Sequence, residues 1–413
     1  MKLLIFGGSG KMGSAVAWDL VQQDDVEQVG LLDRSFEGLE RISRWVGSSK
    51  LELHPIDLSD RRAVLEVMET YDIGVVTLPN RRLSYRVAEY ALEAGLHLVD
   101  ILEEYHRHPD AYEIEGLELP QDQSLEAYGE SLHTRYAEKG LVFLDGMGFA
   151  PGMSNLALGS GLDQLDSTHT AIARVGGIPD KPYADRHPLK YMITWAFSHV
   201  LREYMVKVNV IKDGAPVEVP ALTDRETFQF DACGIDGESL ECAITPGMPS
   251  YLYTRPSLHT FAEKTIRWPG HFTAIDTLKE CGLLDLEPVC VDGKEVVPRE
   301  LLLSLIQPRL IPAEDETDVC VMWTSAEGIK GGRPARVDSF LWDRADTVNG
   351  LTAMARVTGF SAAIGALMLG RGQVQGTGIV APEDGICGEA YTIYCEELAK
   401  RDILIEERVT IDE

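Results

Sequence analysis

Lys2-Leu3-Leu4-Ile5-Phe6-Gly7-Gly8-Ser9-Gly10-Lys11-Met12-Gly13 opens the chain after its first methionine, and its reading decides the fold. An apolar run that stops at glycines is a strand entering a turn, and Met12, Val16 and Leu20 then recur at helical spacing. Inside the turn, Gly8, Gly10 and Gly13 fit the pattern G-x-G-x-x-G. Between a strand and a helix, that pattern predicts a cradle for a pyrophosphate. The helix N-terminus offers free N–H groups, and residues without side chains let an anion reach the backbone. Gly8 is assigned the tight turn, Gly10 the approach of the phosphates and Gly13 the packing of helix on strand. Ser9, Lys11 and Met12 complete the loop. Asp33 ends the next apolar run, where a carboxylate accepts hydrogen bonds from the adenosine ribose and repels a 2′-phosphate. NAD is therefore the expected cofactor. Arg34 could pair with that phosphate, so NADP stays possible.

Outward from this turn, apolar runs at 2–6, 26–32, 51–56, 73–78, 96–99 and 141–144 read as strands. Helical patterns lie at 12–22, 63–69, 84–94 and 125–139. Such alternation predicts a parallel sheet of βαβ units. Asp57 and Leu58, after the third strand, are expected beside the adenine, with Asp57 as readily a helix cap. Leu78 and Pro79, with Asn80, are expected beside the nicotinamide ribose. The acidic segment 103–123 breaks the rhythm and reads as a loop or insertion. From about 155 to 346 the runs 168–175, 206–211, 250–255, 318–324 and 336–341 suggest a mixed sheet with helices on one face. A helical pattern returns at 349–368. The expected fold is α/β: an N-terminal Rossmann domain (1–153, with 347–413 packing back on it) and a second α+β domain (154–346) for substrate and dimerisation.

Composition narrows the function classes. A chain of 413 residues exceeds one comfortable domain. With 38 basic against 66 acidic residues and a net charge of −28, it lacks the basic excess that nucleic acid or an anionic membrane would select. A small-molecule substrate is left open. The 7 cysteines form no C-x-x-C pair, which argues for reduced thiols and against a disulfide framework or structural zinc; no metal is expected. The apolar stretch 360–369 is shorter than the ~20 residues of a membrane span, and no signal-peptide core follows Phe6. A cytoplasmic protein is the expectation.

Several segments resemble the saccharopine dehydrogenase family. Gly148-Phe149-Ala150-Pro151-Gly152-Met153-Ser154-Asn155 is similar to its G-x-[AD]-P-G-x-x-N turn, and Gly176-Gly177-Ile178-Pro179 to its G-G-x-P. His187-Pro188-Leu189-Lys190-Tyr191 with Trp195 resembles N-P-L-x-Y…W, with His187 replacing asparagine. Thr265-Ile266-Arg267-Trp268-Pro269-Gly270-His271 is similar to T-x-R-Y-P-G-H, and Thr352-Ala353-Met354-Ala355-Arg356-Val357-Thr358-Gly359-Phe360 with Pro382-Glu383 to the C-terminal signature. The order holds over nearly the whole chain. Members acting on amino-acid–keto-acid conjugates usually carry Asp in the turn, where this chain has Ala150. In that respect it is most like lysine 6-dehydrogenases. The resemblance implies oxidative deamination of an amino-acid amine, NAD as cofactor, and a homodimer or larger homo-oligomer. An opine-type enzyme acting on a secondary amine is the nearer alternative, and a non-catalytic NAD-sensing scaffold the remoter one.

That chemistry needs a base for the amine proton and a guanidinium for a substrate carboxylate. Asp100, at the end of the fifth strand, is the expected acid/base, with His271 and His187 as further candidates. Arg267 is the expected carboxylate anchor. Tyr191 and Trp195, spaced i, i+4 on an expected helix, and Gly176 and Gly177 complete the substrate set. Lys190 reads as exposed, and Asp346 and Thr352 as caps of the returning helix.

Overall fold

The computed structural model describes residues 1–110, 117, 119, 123–195 and 197–412. The chain forms two compact units: Met1–Asp163, Met248–Arg255 and Ala355–Leu404 in the first; Gln164–Gly247, Pro256–Met354 and Ile405–Glu413 in the second. The borders at 153 and 346 therefore shift. Helix Met153–Asp163 stays with the first unit, where Asn155 accepts from Gly152 N and donates to Ser250 Oγ and Glu383. The last residues form strand Glu406–Ile411 in the second, paired antiparallel with Arg333–Arg344.

The first unit runs β1 (Lys2–Phe6), α1 (Lys11–Leu20), β2 (Gln28–Asp33), α2 (Phe36–Val46), β3 (Leu51–Pro55), α3 (Arg61–Met68), β4 (Ile73–Val76), α4 (Arg81–Ala94), β5 (His97–Asp100), α5 (Leu125–Glu138) and β6 (Val142–Leu144). With strand Gly378–Val380 these build a parallel sheet in the order Gly378–Val380, β6, β5, β4, β1, β2, β3. The chain leaves β1 toward β2 on one side and returns to β4 on the other. The carboxyl end of β1 thus lies at the switch point where open α/β sheets take ligands. Helix α2 went unpredicted. Its signals are short: Ser35 Oγ accepts from Gly38 N, Leu39 and Ile42 face the core, and Gly47 (φ 65°) ends it. Helix Ala353–Gly370 is apolar and long enough, by length and composition alone, to cross a membrane. Yet 78% of it is buried within the structure, as in a core helix.

In the second unit the mixed sheet has the order Glu226–Phe230, Glu238–Ile244, Thr260–Arg267, Ser167–Pro179, Asp318–Lys330, Arg333–Arg344, Glu406–Ile411. Thr260–Arg267 pairs parallel with Ser167–Pro179 and antiparallel with Glu238–Ile244. This central strand escaped the pattern reading because Glu263 and Lys264 interrupt it, yet both are buried. Lys264 is held by Asp224 and Glu226. Helices Phe197–Glu203, His271–Glu280 and Pro298–Leu310 share a core with Ala243, Ile244 and Ala262 of the sheet. The strand expected at 250–255 is instead helix Tyr251–Thr254 of the first unit, tied down by Tyr251 Oη donating to Asn155 O at 2.8 Å.

Candidate functional site

The glycine-rich turn has the geometry of a phosphate cradle, with one change of assignment. Gly7, not Gly8, makes the tight turn, with φ 84°, and its carbonyl accepts from Gly10 N at 3.0 Å. A side chain on Gly8 would meet Leu31 Cβ at 2.9 Å, so Gly8 serves the close approach to β2. One on Gly13 would come within 2.4 Å of Gly7 O, while one on Gly10 would meet only Gly7 O at 3.3 Å. Gly10 is the N-cap of α1 and supplies no side-chain hydrogen bond. The first N–H groups of the helix are left for an outside acceptor, which fits a pyrophosphate. Gly10 and Lys11 are exposed, and Met12 is half-buried.

Asp33 ends β2. Its Oδ2 accepts from Ser9 Oγ at 2.6 Å and Ser9 N at 3.3 Å, and its Oδ1 from Ser35 N at 3.0 Å. Arg34 is exposed beside it. Asp57 does not cap α3; it accepts from Ser59 N and Oγ, and Asp60 is the cap, accepting from Ala63 N. Leu58 is buried. Leu78 is half-buried and Pro79 exposed ahead of Asn80, which caps α4.

Behind the ends of β5 and β6 lies a sealed polar cluster. Asp100 has no exposed surface: Oδ1 accepts from Gly146 N at 2.8 Å and Oδ2 from Ser84 Oγ at 3.0 Å. Ser84 Oγ also lies 2.9 Å from His106 Nε2, and His106 Nδ1 lies 2.8 Å from Asp145 Oδ1. Asp145 Oδ2 accepts from His106 N at 2.7 Å. Burial, with Asp145 nearby, pushes Asp100 up to about 7, and burial also raises Asp145 and lowers His106. Asp100, His106 and Asp145 are close enough to share a cation, their nearest donor atoms all within 4.8 Å. Each of those atoms is already taken by a hydrogen bond. Asp100 thus has no face open to a substrate in this conformation and cannot be the direct base expected of it. The segment 103–123, read as an insertion, delivers His106 and Glu104; part of it, 111–116, 118 and 120–122, lies outside the described residues.

The second unit holds a different cluster. Arg267 is 4% exposed. Its Nε donates to Tyr204 Oη at 3.0 Å, an NH1 hydrogen goes to Ile266 O at 2.9 Å, and its plane lies 5.2 Å from the Tyr191 ring centre. His271 Nδ1 lies 2.8 Å from Leu189 O, which can only accept, so Nδ1 carries the proton. Nε2 must then accept from Tyr204 Oη at 3.0 Å. Burial, then the Arg267 charge, push His271 down to about 3, so it is neutral. His271 is therefore a positioning residue for Tyr204 rather than an acid/base. Among the described residues, the buried hydroxyls of Tyr191 and Thr194 have no partner beyond each other. Sequence reasoning missed Tyr204 and Thr194, since isolated hydroxyls carry no pattern.

Other candidates resolve as structural. Both nitrogens of His187 are engaged within the chain, by Arg309 O at 2.9 Å and Glu316 Oε2 at 2.8 Å, so neither is open to a substrate. Tyr191 is extended (φ −129°, ψ 142°) after the turn Pro188–Lys190, so it and Trp195 share no helix. Trp195 sits edge-on to His199 at 5.0 Å. Gly176 and Gly177 lie inside strand Ser167–Pro179, not in a loop, where added side chains would strike Ile266 O and Met354 Cε. Lys190 is 3.5 Å from Asp185. Asp346 closes its own turn onto Val348 N and Asn349 N. Asp318 instead accepts from Ala353 N and Met354 N at the start of helix Ala353–Gly370.

A family model described as the saccharopine dehydrogenase NADP binding domain matches residues 3–142, and one described as the saccharopine dehydrogenase C-terminal domain matches 148–404. The chain belongs to the saccharopine dehydrogenase family. Carboxyaminopropylagmatine dehydrogenase of a Synechocystis species is 21% identical over 402 residues, 93% of each chain. A 4-hydroxy-tetrahydrodipicolinate reductase of Dictyoglomus turgidum is 28% identical over 99 residues, 24% of this chain and 34% of that one. In fold, the chain matches apo saccharopine dehydrogenase (L-Glu forming) of Saccharomyces cerevisiae with a TM-score of 0.77, 18% identity and 99% of both chains covered. Members of the saccharopine dehydrogenase family are oxidoreductases acting on CH–NH donors. The cradle at β1 would accordingly hold a nicotinamide dinucleotide, which would supply hydride-transfer chemistry at the CH–NH carbon.

Proposed function

We propose that this chain oxidises the ε-amine of lysine with NAD, giving 2-aminoadipate 6-semialdehyde, which cyclises to piperideine-6-carboxylate. One observation carries the reading: Arg267 is a buried guanidinium with no carboxylate bonded to it among the described residues, set over the ring of Tyr191, whose hydroxyl meets no group but Thr194. A buried charge in that state is costly unless an anion completes it. An α-carboxylate supplies two parallel acceptors for the fork, and Tyr191 and Thr194 offer further donors. Asp33, with its carboxylate at the end of β2, favours NAD over NADP. Ala150 in place of the aspartate usual among conjugate-forming members supports a free amino acid.

A second reading has one support. The relative that spans 93% of both chains carries the name carboxyaminopropylagmatine dehydrogenase, and a carboxylated secondary amine would use the same guanidinium. Dinucleotide reduction assayed with L-lysine, saccharopine and carboxyaminopropylagmatine, each with NAD and NADP, separates the two. Ammonia release with L-lysine is the expected result. Silence with lysine and turnover of a conjugate would hand the assignment to the second reading.

A further inference from the structure

The order Asp145–His106–Ser84 reproduces the carboxylate–imidazole–hydroxyl alignment of hydrolytic triads, with contacts of 2.8 and 2.9 Å. Here Ser84 and His106 have no exposed surface, so the hydroxyl cannot attack a substrate. It faces Asp100 instead, at 3.0 Å. Four separate pieces of the first unit bring these groups together: the first turn of α4, the end of β5, the loop that carries His106, and the residue after β6.

The proton inventory of this chain is restrictive. Ser84 has one hydroxyl hydrogen. If it points to Asp100, the contact with His106 requires a proton on Nε2. If it points to Nε2, the contact with Asp100 requires the acid form. The two arrangements differ by a concerted shift: one proton moves from Nε2 to Oγ as another moves from Oγ to Oδ2. No heavy atom moves and the net charge stays the same. We propose that Ser84 and His106 form a two-proton relay to Asp100, with Asp145 fixing the imidazole. The relay sets whether Asp100 is an acid or a carboxylate without opening the site. Asp100 in turn holds Gly146 N and, through its carbonyl, Met147 N at 2.6 Å, so its state is felt in the loop at the end of β6.

Other charges frame the relay. From α4 come Arg81, which pairs with Glu104 at 2.7 Å, and Tyr85, whose hydroxyl donates to Glu104 Oε1 at 2.8 Å and whose ring lies 4.4 Å from that of His106. Phe143 of β6 lies 4.9 Å away. Tyr105 and Glu383 act on or through Asp145 over longer range. Arg81 also pairs with Asp110 at 2.9 Å, so Asp100 and Asp145 are the carboxylates that face the relay from its two ends.

This inference rests on the amine-oxidation reading for its kinetic consequence but not for its physical test. Nitrogen NMR of histidine-labelled full-length protein should show His106 with a protonated Nδ1 and an Nε2 shift intermediate between protonated and bare. In Ser84→Ala that intermediate value should collapse to one limit. A wild-type Nε2 already at one limit across pH 5–9 would overturn the relay, whether or not any substrate is known. Kinetically, Ser84→Ala should lower kcat about tenfold or more and move the acidic limb of its pH profile, with NADH affinity by fluorescence within about twofold of wild type. Ser84→Thr, which keeps the hydroxyl, should recover most of the loss. A threonine variant no better than alanine would mean that Ser84 only fills space. Absence of turnover in the wild type would sink the functional reading and leave the NMR result standing.

Discussion

Each unit buries a histidine beside a hydroxyl, yet the two sites hold opposite charges and opposite freedoms. In the second unit His271 is pinned. Leu189 O accepts from its Nδ1, Tyr204 donates to Nε2, and burial, with Arg267 nearby, keeps it neutral. The hydrogens on His271 and Tyr204 there have one possible position, and what is left over is a guanidinium with no carboxylate bonded to it among the described residues. In the first unit His106 stands between two carboxylates and one hydroxyl, where the same heavy atoms admit two proton arrangements. Burial disfavours the charged imidazole in both units, and the sign of the neighbours then distinguishes the two sites. A cation fixes it as a neutral bridge, while carboxylates turn it into a place where a proton can move.

Breaking the second-unit site at Arg267 should give the largest effect. Arg267→Ala is expected to raise KM for the amino-acid substrate about a hundredfold, the equivalent of two charge-assisted hydrogen bonds, while the Kd for NADH stays put. Arg267→Lys, which keeps charge but loses the fork, should fall between. A loss of NADH affinity instead would show that Arg267 does not serve the substrate. Tyr204→Phe sharpens the same point. It strips Arg267 Nε of its acceptor and His271 Nε2 of its donor at once. The expected cost is about 2 kcal/mol in stability, read by chemical denaturation, with KM rising about tenfold. Unchanged stability would mean the pair is satisfied some other way.

How much of this was legible in the sequence depended on whether chemistry was local. The cradle was, because strand, turn and helix are contiguous and glycine spacing reports backbone geometry directly. Even there, Gly7 and Gly8 exchanged tasks, since a spacing rule cannot say which of two adjacent glycines takes positive φ. Asp100 was found by its place at a strand end. Asp145, at the end of the next strand, met the same criterion and was passed over. His106 was hidden in a segment whose acidity and broken rhythm marked it as a loop or insertion, although Glu104, Tyr105 and His106 are all buried. Thr260–Arg267 was missed because buried Lys264 counts as polar until Asp224 and Glu226 are seen beside it. Tertiary pairing, which single residues do not announce, accounts for the misses.

The pinned histidine also makes a pH prediction. His271 is held at about 3 in the folded state against an ordinary 6.5 when exposed. Between those values the unfolded chain binds a proton that the folded one refuses. This stability is therefore complete above about pH 6.5 and declines as pH falls toward about 3, by up to about 1.4 kcal/mol per unit. In the variant His271→Asn, which cannot titrate, denaturant midpoints between pH 4 and 6 should depend less on pH than in the wild type. Equal slopes would place the acid sensitivity elsewhere.

The smallest effect is expected at Asp33, and it tests whether a carboxylate already in use can still select a cofactor. Two of its contacts go to Ser9 and one to Ser35 N, yet a carboxylate has about four acceptor sites, so capacity remains for the ribose hydroxyls. Its charge, moreover, repels a 2′-phosphate whichever way the lone pairs point. Asp33→Ser should weaken NADH binding and strengthen NADPH binding, moving the ratio of their Kd values about tenfold toward the phosphate, with exposed Arg34 as the nearby cation. Both are measured by fluorescence titration of the full chain. If the ratio does not move, the carboxylate belongs to the turn, bracing Ser9 against β2, and the choice between dinucleotides is made by other residues around the ribose.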